Sequence, residues 1–235
     1  MSWSGPLSPS CRRSVCKHGG QNRAQILEER AEESHRGQLQ RVAEPAVLGA
    51  ASFAFETGVA CAPVSGFHHA GYAAATMFCT FNGLMVAAVG LLRARRVRRV
   101  LILDCDFHYG NGIEEIIDRL GLASEVENAT FGRWYRTRSK AKLYLQQLER
   151  IVERFSEFDL ILYQAGADVH VDDPLGGVLD SEQMRQRDRI VFEAAKRAGV
   201  PLAWDLAGGY QVPISKVIRL HMATMEECVR TYARE

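Results

Sequence analysis

Three short apolar runs, each emptying straight into acids or glycines, constrain this chain more than anything else in it. Val100-Leu101-Ile102-Leu103 ends in Asp104-Cys105-Asp106, and Leu160-Ile161-Leu162-Tyr163 leads to Gly166-Ala167-Asp168. Pro201-Leu202-Ala203-Trp204 runs into Ala207-Gly208-Gly209-Tyr210. Continuous β-branched and leucine runs without polar alternation are the pattern of parallel strands covered on both faces. Amphipathic stretches lie between and after them. The alternation predicts an α/β fold: a single domain with a mostly parallel, doubly wound sheet and helices on both faces. A length of 235 residues suits one such domain.

The remaining segments fit around this frame. Asn22 to Glu44 is polar and helix-friendly, and Pro45 opens a second, apolar helix that Gly58 closes. Val59 to Pro63 reads as another short strand, followed by a loop at Ser65-Gly66-Phe67-His68-His69. The apolar stretch from Ala73 to Arg93 predicts a buried helix. Ser139 and Ser181 are candidate N-caps, and a last helix from residue 215 would place Val217, Ile218, His221, Met222, Met225 and Val229 on one face. Residues 1–21 read as a disordered or mis-assigned segment, and 22–235 as the domain.

Composition narrows the partners. No stretch approaches the roughly 18–20 continuous apolar residues of a membrane span. A net charge of +1 supplies no global field for nucleic acid or an anionic membrane, and the arginines after Leu92 read as a solvated helix end. Six cysteines without a C-x-x-C pair point to a reducing compartment, read as cytoplasmic. The first 27 residues hold no acid and four Lys or Arg, so organellar targeting is the lesser alternative. Oligomeric state is not legible.

The chemistry gathers where the strands run out, which is where ligands bind in open parallel sheets. A carboxylate directly after a buried run is costly unless paired or metal-bound, and Asp104, Asp106 and Asp168 all occupy such positions. Period-two alternation puts Asp104, Asp106 and His108 on one side, and Asp168 can complete a three-ligand set with Asp106 and His108. Two carboxylates and one imidazole suit Zn²⁺, with Fe²⁺ or Mn²⁺ possible, and three protein ligands leave an open catalytic position. His68 and His69 are acid–base candidates, and Tyr210 is a hydroxyl donor able to stabilise an oxyanion.

At these residues the chain resembles the histone deacetylase superfamily, most clearly over 45–235. Pro63-Val64-Ser65-Gly66-Phe67-His68-His69-Ala70 is similar to its dihistidine loop, and Asp104 to Gly112 to its D-x-D-x-H-x-G-[DN]-G signature. Gly166-Ala167-Asp168 with Asp173-Pro174-Leu175-Gly176 resembles its second metal block, and Gly208-Gly209-Tyr210 its tyrosine loop. The resemblance implies an arginase/deacetylase-like fold, Asp106, His108 and Asp168 as metal ligands, His68 and His69 as the acid–base pair, and Tyr210 as oxyanion donor. It further implies that Asp104 orients His68 and contributes to a structural K⁺ site, and that Asn111 sits beside His69, as in class II-like members. Gly66, Phe67, Phe78 and Gly209 would line the acyl channel. The implied reaction is removal of an acetyl or related acyl group from an amine, either a protein lysine or a small molecule such as an acetylpolyamine.

The chain also departs from the pattern. The usual longer region before the dihistidine, with its substrate-gripping aspartate, is not recognisable, and the interval from His108 to Asp168 is short. The aromatic-Pro-Gly wall is missing around Thr130 to Arg138, where Phe131 or Trp134 could substitute. Two alternatives therefore stay open. One is a truncated, catalytically weak or inactive deacetylase-like metal-binding protein. The other is a two-metal arginase-type hydrolase, suggested by the Asp168-Val169-His170-Val171-Asp172-Asp173-Pro174 run, with His170 otherwise read as a histidine at the mouth of the site.

Overall fold

The computed structural model describes residues 45–233, so the expectations for 1–21 and for a helix over 22–44 lie outside the described residues. Five strands form one sheet: β1 (Val59–Ala62), β2 (Val100–Asp104), β3 (Val126–Thr130), β4 (Leu160–Gly166) and β5 (Leu202–Ala207). Their order is β1-β5-β4-β2-β3, and every neighbouring pair is parallel. β2 and β4 are buried at every position, which accounts for their unbroken apolar lettering.

Helices cover both faces. On one side, α1 (residues 45–57), α2 (Gly83–Arg93) and α3 (Asn111–Leu120) pack on Ile102, Leu162 and Ala203. On the other, α4 (Ala141–Val152), α5 (Ser181–Ala198) and α6 (Ser215–Tyr232) pack on Leu103, Tyr163 and Trp204. The fold is thus the expected doubly wound α/β arrangement. From β2 the chain moves outward to β3, then returns past β2 to β4 and continues the other way to β5. That reversal separates the connections leaving the carboxyl ends of β2 and β4 and opens a crevice between them.

Several local expectations are corrected. The helix expected from Ala73 starts only at Gly83, because Asn82 caps it: its side-chain oxygen accepts from Met85 N at 3.1 Å. Residues 76–79 form instead a tight turn bridged between Thr76 and Cys79, with Met77 and Phe78 at positive φ. Ser139 falls within a short 3-10 turn and caps nothing. Ser181 is the first residue of α5, and the cap is Asp180, which exchanges bonds with Gln183 in a capping box.

The buried face of α6 is Val217, Leu220, Thr224, Glu227 and Cys228, while Ile218, Met222 and Val229 are exposed. Pattern reading missed this because Glu227 is buried as an ion-paired carboxylate, held by Arg185 at 3.0 Å and by Arg189 and Arg230 at 3.3 Å each. Phe131 packs in the core against Tyr144, with ring centroids 4.3 Å apart, and Trp134 points to solvent. Neither lines the crevice beside the histidines.

Candidate active site

The loop after β1 carries His68 and His69 over the ends of β2 and β4. Its shape is held by polar side chains: Thr76 Oγ1 donates to His69 O at 2.6 Å, and Asn82 Nδ2 donates to Ala70 O at 2.9 Å. The two imidazoles are buried, with ring centroids 4.0 Å apart and planes tilted by 49°, yet they have different partners. His68 Nδ1 lies 2.9 Å from Asp104 Oδ2. His69 Nδ1 lies 2.7 Å from Asn111 Oδ1, at the first residue of α3.

Those partners split the pair. Burial opposes a charge on His68, but Asp104 and Asp106 outweigh it and lift its pKa to about 9. His69 is pushed below its ordinary value by burial and by its neighbour His68, against a smaller opposing effect of Asn111. In the metal-free protein these opposite shifts favour a cationic His68 beside a neutral His69 at neutral pH.

Asp104 is fully buried and saturated. Besides His68 it accepts from Thr130 Oγ1 at 3.1 Å, Gln164 Nε2 at 3.0 Å and the Asp106 amide at 3.2 Å. Thr130 and Gln164 escaped the sequence reading. Their only signal is register, since both pair directly with Asp104 in the sheet.

Asp106, His108 and Asp168 converge as expected, each offering a ligand atom within 4.8 Å of the others. His108 Nδ1 stands 2.8 Å from Asp168 Oδ2 and 3.2 Å from Asp106 Oδ1. Hydrogen bonds to the two carboxylates raise its pKa to about 10. Asp168 is pushed up to about 6, mainly by burial and next by the Asp106 charge. Two buried carboxylates facing each other call for more positive charge than one imidazole gives, and this donor set fits a divalent ion.

The geometry around Asp168 is equally specific. Gly208, in a left-handed conformation at φ +52°, passes so close that a Cβ there would stand 2.4 Å from Asp168 Cγ. His170 stays outside the triad. It is buried, with Nε2 2.9 Å from Ser181 Oγ and Nδ1 accepting from the Asp172 amide at 3.1 Å, and it does not line the mouth of the site.

Tyr210 follows the two glycines at the end of β5, and its backbone amide is anchored to Asp173 Oδ2 at 2.7 Å. Its half-exposed ring lies 6.4 Å from both Phe78 and His108. A cavity of about 290 Å³ collects Gly66, Phe67, His68, His69, Phe78 and Asp106 with Gly209 and Tyr210. The ring of Phe67 turns into the core, where it packs closely on Gly83, whereas Phe78 stands exposed at the rim. The arrangement combines a cation-seeking triad, a charged and a neutral imidazole, and a hydroxyl in one opening. It defines a candidate metal centre with acid–base groups beside it.

The sequence matches the histone deacetylase domain over residues 16–126 and 121–225, and the chain belongs to that family. It is 28% identical over 188 residues to an uncharacterized protein of Picosynechococcus, covering 73% of this chain and 62% of the relative. It is 29% identical over 188 residues to histone deacetylase 2 of Arabidopsis thaliana, covering 72% of this chain and 49% of that one. The matches thus span about half to three-fifths of those relatives' length. Among solved structures, acetylpolyamine aminohydrolase from Burkholderia pseudomallei superimposes with a TM-score of 0.64 at 22% identity, over 80% of this chain and 62% of the other. The HDA15 HD domain gives 0.58 at 21% identity with the same coverage. Both share the fold. Among the described residues, no helix is long and apolar enough to cross a membrane.

Proposed function

We propose that this chain is a zinc-dependent deacetylase that hydrolyses the linear amide of an acetylated amine. The observation that carries the reading is the meeting of Asp106, His108 and Asp168 with His68, His69 and Tyr210 at one cavity. A divalent ion held by the triad would polarise the acyl oxygen and acidify the attacking water.

The protein groups divide the rest of the work. With His69 Nδ1–H donated to Asn111 Oδ1, its Nε2 keeps a free lone pair and can take the proton of the attacking water. As the water oxygen bonds to the acyl carbon and the C–N bond breaks, that proton passes to the departing nitrogen, leaving a carboxylic acid and a free amine; transfer of the acid's proton to the amine then gives carboxylate and ammonium. His68, held cationic between Asp104 and Asp106, keeps positive charge beside the reacting carbonyl. The Tyr210 hydroxyl donates to the acyl oxygen as negative charge grows there. The relatives' names point to two amine classes, acetylated histone lysine and acetylpolyamine. The rim formed by Met77, Phe78 and Tyr210 would choose between them. The unbridged cysteines of the described residues suit a reducing compartment such as the cytoplasm.

A second reading has its own observation. Phe78 is 65% exposed, so one wall of the cavity stands in solvent. A metal-binding protein with weak or no turnover would fit such an opening. The test uses zinc-loaded protein, acetyl-lysine peptides and acetylpolyamines, with Tyr210→Phe beside wild type. That variant should lose roughly 10²- to 10³-fold in kcat with little change in KM. A wild-type-like kcat in the zinc-replete variant would remove Tyr210 from the reaction. An inactive wild type with full zinc would favour the second reading.

A further inference from the structure

β5 carries a carboxyl in the interior of the sheet that the site described above does not use. Asp205 is 1% exposed, and neither of its oxygens meets a donor among the described residues. An ionised carboxylate left in that state would cost several kcal/mol, so its surroundings matter.

Strand register supplies them. Ala62, Asp205, Gln164, Asp104 and Thr130 form one row across all five strands, each paired with the next. Two residues earlier on the three central strands, Ala203, Leu162 and Ile102 share one core cluster. The residues between, Trp204, Tyr163 and Leu103, belong to the opposite one. Asp205, Gln164 and Asp104 therefore project from the same face, the one that His68 covers.

Part of the row is already bonded. Thr130 and Gln164 Nε2 donate to Asp104, which also meets His68 Nδ1 and the Asp106 amide. The break falls between β4 and β5, where Gln164 Oε1 and both Asp205 oxygens are buried acceptors without donors. A glutamine amide presents NH₂ on one side and C=O on the other. With its NH₂ given to Asp104, its oxygen is left to the neighbouring strand. One proton on Asp205 resolves the conflict, turning an acceptor facing an acceptor into a hydrogen bond. Complete burial, reinforced by the charge of Asp104, opposed by His68 and reinforced again by a lesser effect of Asp106, favours that proton by pushing Asp205 well above the carboxylate range.

We propose that Asp205 is a positioning residue: as a neutral carboxylic acid it donates to Gln164 Oε1, which locks the amide with Nε2 toward Asp104 and keeps Asp104 aimed at His68. The chain of contacts, Asp205 to Gln164 to Asp104 to His68, crosses three strands and reaches the imidazole pair, with Asp205 itself outside the cavity lining. Its effect on turnover rests on the deacetylase reading; the hydrogen bonds themselves do not.

The test compares wild type, Asp205→Asn and Asp205→Leu in the full chain. Infrared spectra with ¹³C-labelled aspartate should show a protonated carboxyl band at neutral pH that Asp205→Asn removes. Proton NMR should show a slowly exchanging downfield signal from His68 Nδ1–H. Asparagine can still donate to Gln164 Oε1, so Asp205→Asn should keep that signal and near-wild-type turnover. Leucine, similar in volume but without a donor, should lose the signal and roughly 10- to 100-fold in kcat at unchanged KM. If Asp205 only filled space, leucine would be neutral or stabilising, because it removes an unsatisfied buried polar group. Gln164→Leu is a second variant, expected to shift the carboxyl band without abolishing it. The absence of a protonated band in wild type, or a wild-type His68 signal in Asp205→Leu, overturns the proposal. An inactive wild type that shows both band and signal supports the role of Asp205 and counts against the deacetylase reading alone.

Discussion

Gly208→Ala should cost far more than its single methyl group suggests. At φ +52° any L-residue there pays roughly 1–2 kcal/mol for the left-handed backbone. The new Cβ would also lie 2.4 Å from Asp168 Cγ and 2.7 Å from both its oxygens, about 1 Å inside ordinary contact. Backbone on one side and a buried carboxyl on the other leave little room, so Asp168 must swing away. Its bonds from the Phe107 amide, 3.0 Å, and with His108 Nδ1, 2.8 Å, would then be lost or stretched. Each charge-assisted bond is worth about 1.5–3 kcal/mol, so losing both on top of the backbone cost gives an expected destabilisation of about 4–8 kcal/mol. Displacing a ligand oxygen should also weaken metal binding by at least about 10- to 100-fold.

Gly199→Ala supplies the control, since Gly199 has φ +66° with nothing within 4 Å of its Cβ direction. It should pay the backbone cost alone, about 1 kcal/mol, and bind metal as wild type does. Denaturant melts and equilibrium dialysis with zinc would be run on both variants. Equal zinc affinity in the two would refute the argument that Gly208 is required by its approach to Asp168.

Three further outcomes follow from the same geometry. His69→Ala should retain stoichiometric zinc and lose most turnover, because His69 is bonded to Asn111 and not placed among the ligands; loss of zinc in this variant would contradict that division. Asn111→Asp should put a negative charge 2.7 Å from His69 Nδ1, raising its pKa and moving the acid limb of the kcat/KM profile to higher pH; an unmoved limb would exclude His69 as the base. Zinc binding should release close to one proton per ion at pH 8, where His108 (about 10) is protonated in metal-free protein and Asp168 (about 6) is not. Below pH 6 the release should approach two, and calorimetry in buffers of different ionisation enthalpy reads both values.

How much of this was legible depended on what each residue's lettering could encode. β2, β4 and β5 announced themselves because burial on both faces makes their opening runs, residues 100–103, 160–163 and 202–204, unbroken apolar lettering. β3 did not, since Val-Glu-Asn-Ala-Thr is an edge strand buried only at its two ends and carries no continuous apolar run. The stretch 73–82 misled in the opposite direction. It is apolar because Met77 and Phe78 form the rim of a cavity, and composition cannot separate an apolar loop from a buried helix. The ligands and histidines lie within contiguous motifs and could be named. Thr130, Gln164 and Asp205 act through register between strands far apart in sequence, which no local pattern carries.

The two histidines show how a site of this kind gets unlike functions from like residues. His68 and His69 are adjacent in sequence, their rings are 4.0 Å apart, and both are buried. Desolvation alone would leave both neutral. The difference is imposed one residue away: β2 ends in a carboxylate that reaches His68, whereas α3 begins with an amide that reaches His69. An amide oxygen fixes the tautomer of His69 and stabilises its charge less than burial and His68 oppose it, so Nε2 stays a base. Asp104 is held in the sheet by donors on every side: Thr130, Gln164, His68 and the Asp106 amide. The asymmetry of the imidazole pair is therefore a property of the sheet's polar row, reaching from β3 through β2 and β4 toward β5. A substitution in that row, such as one at Asp205, can disturb proton transfer while leaving the metal-ligand candidates, both imidazoles and Tyr210 in place.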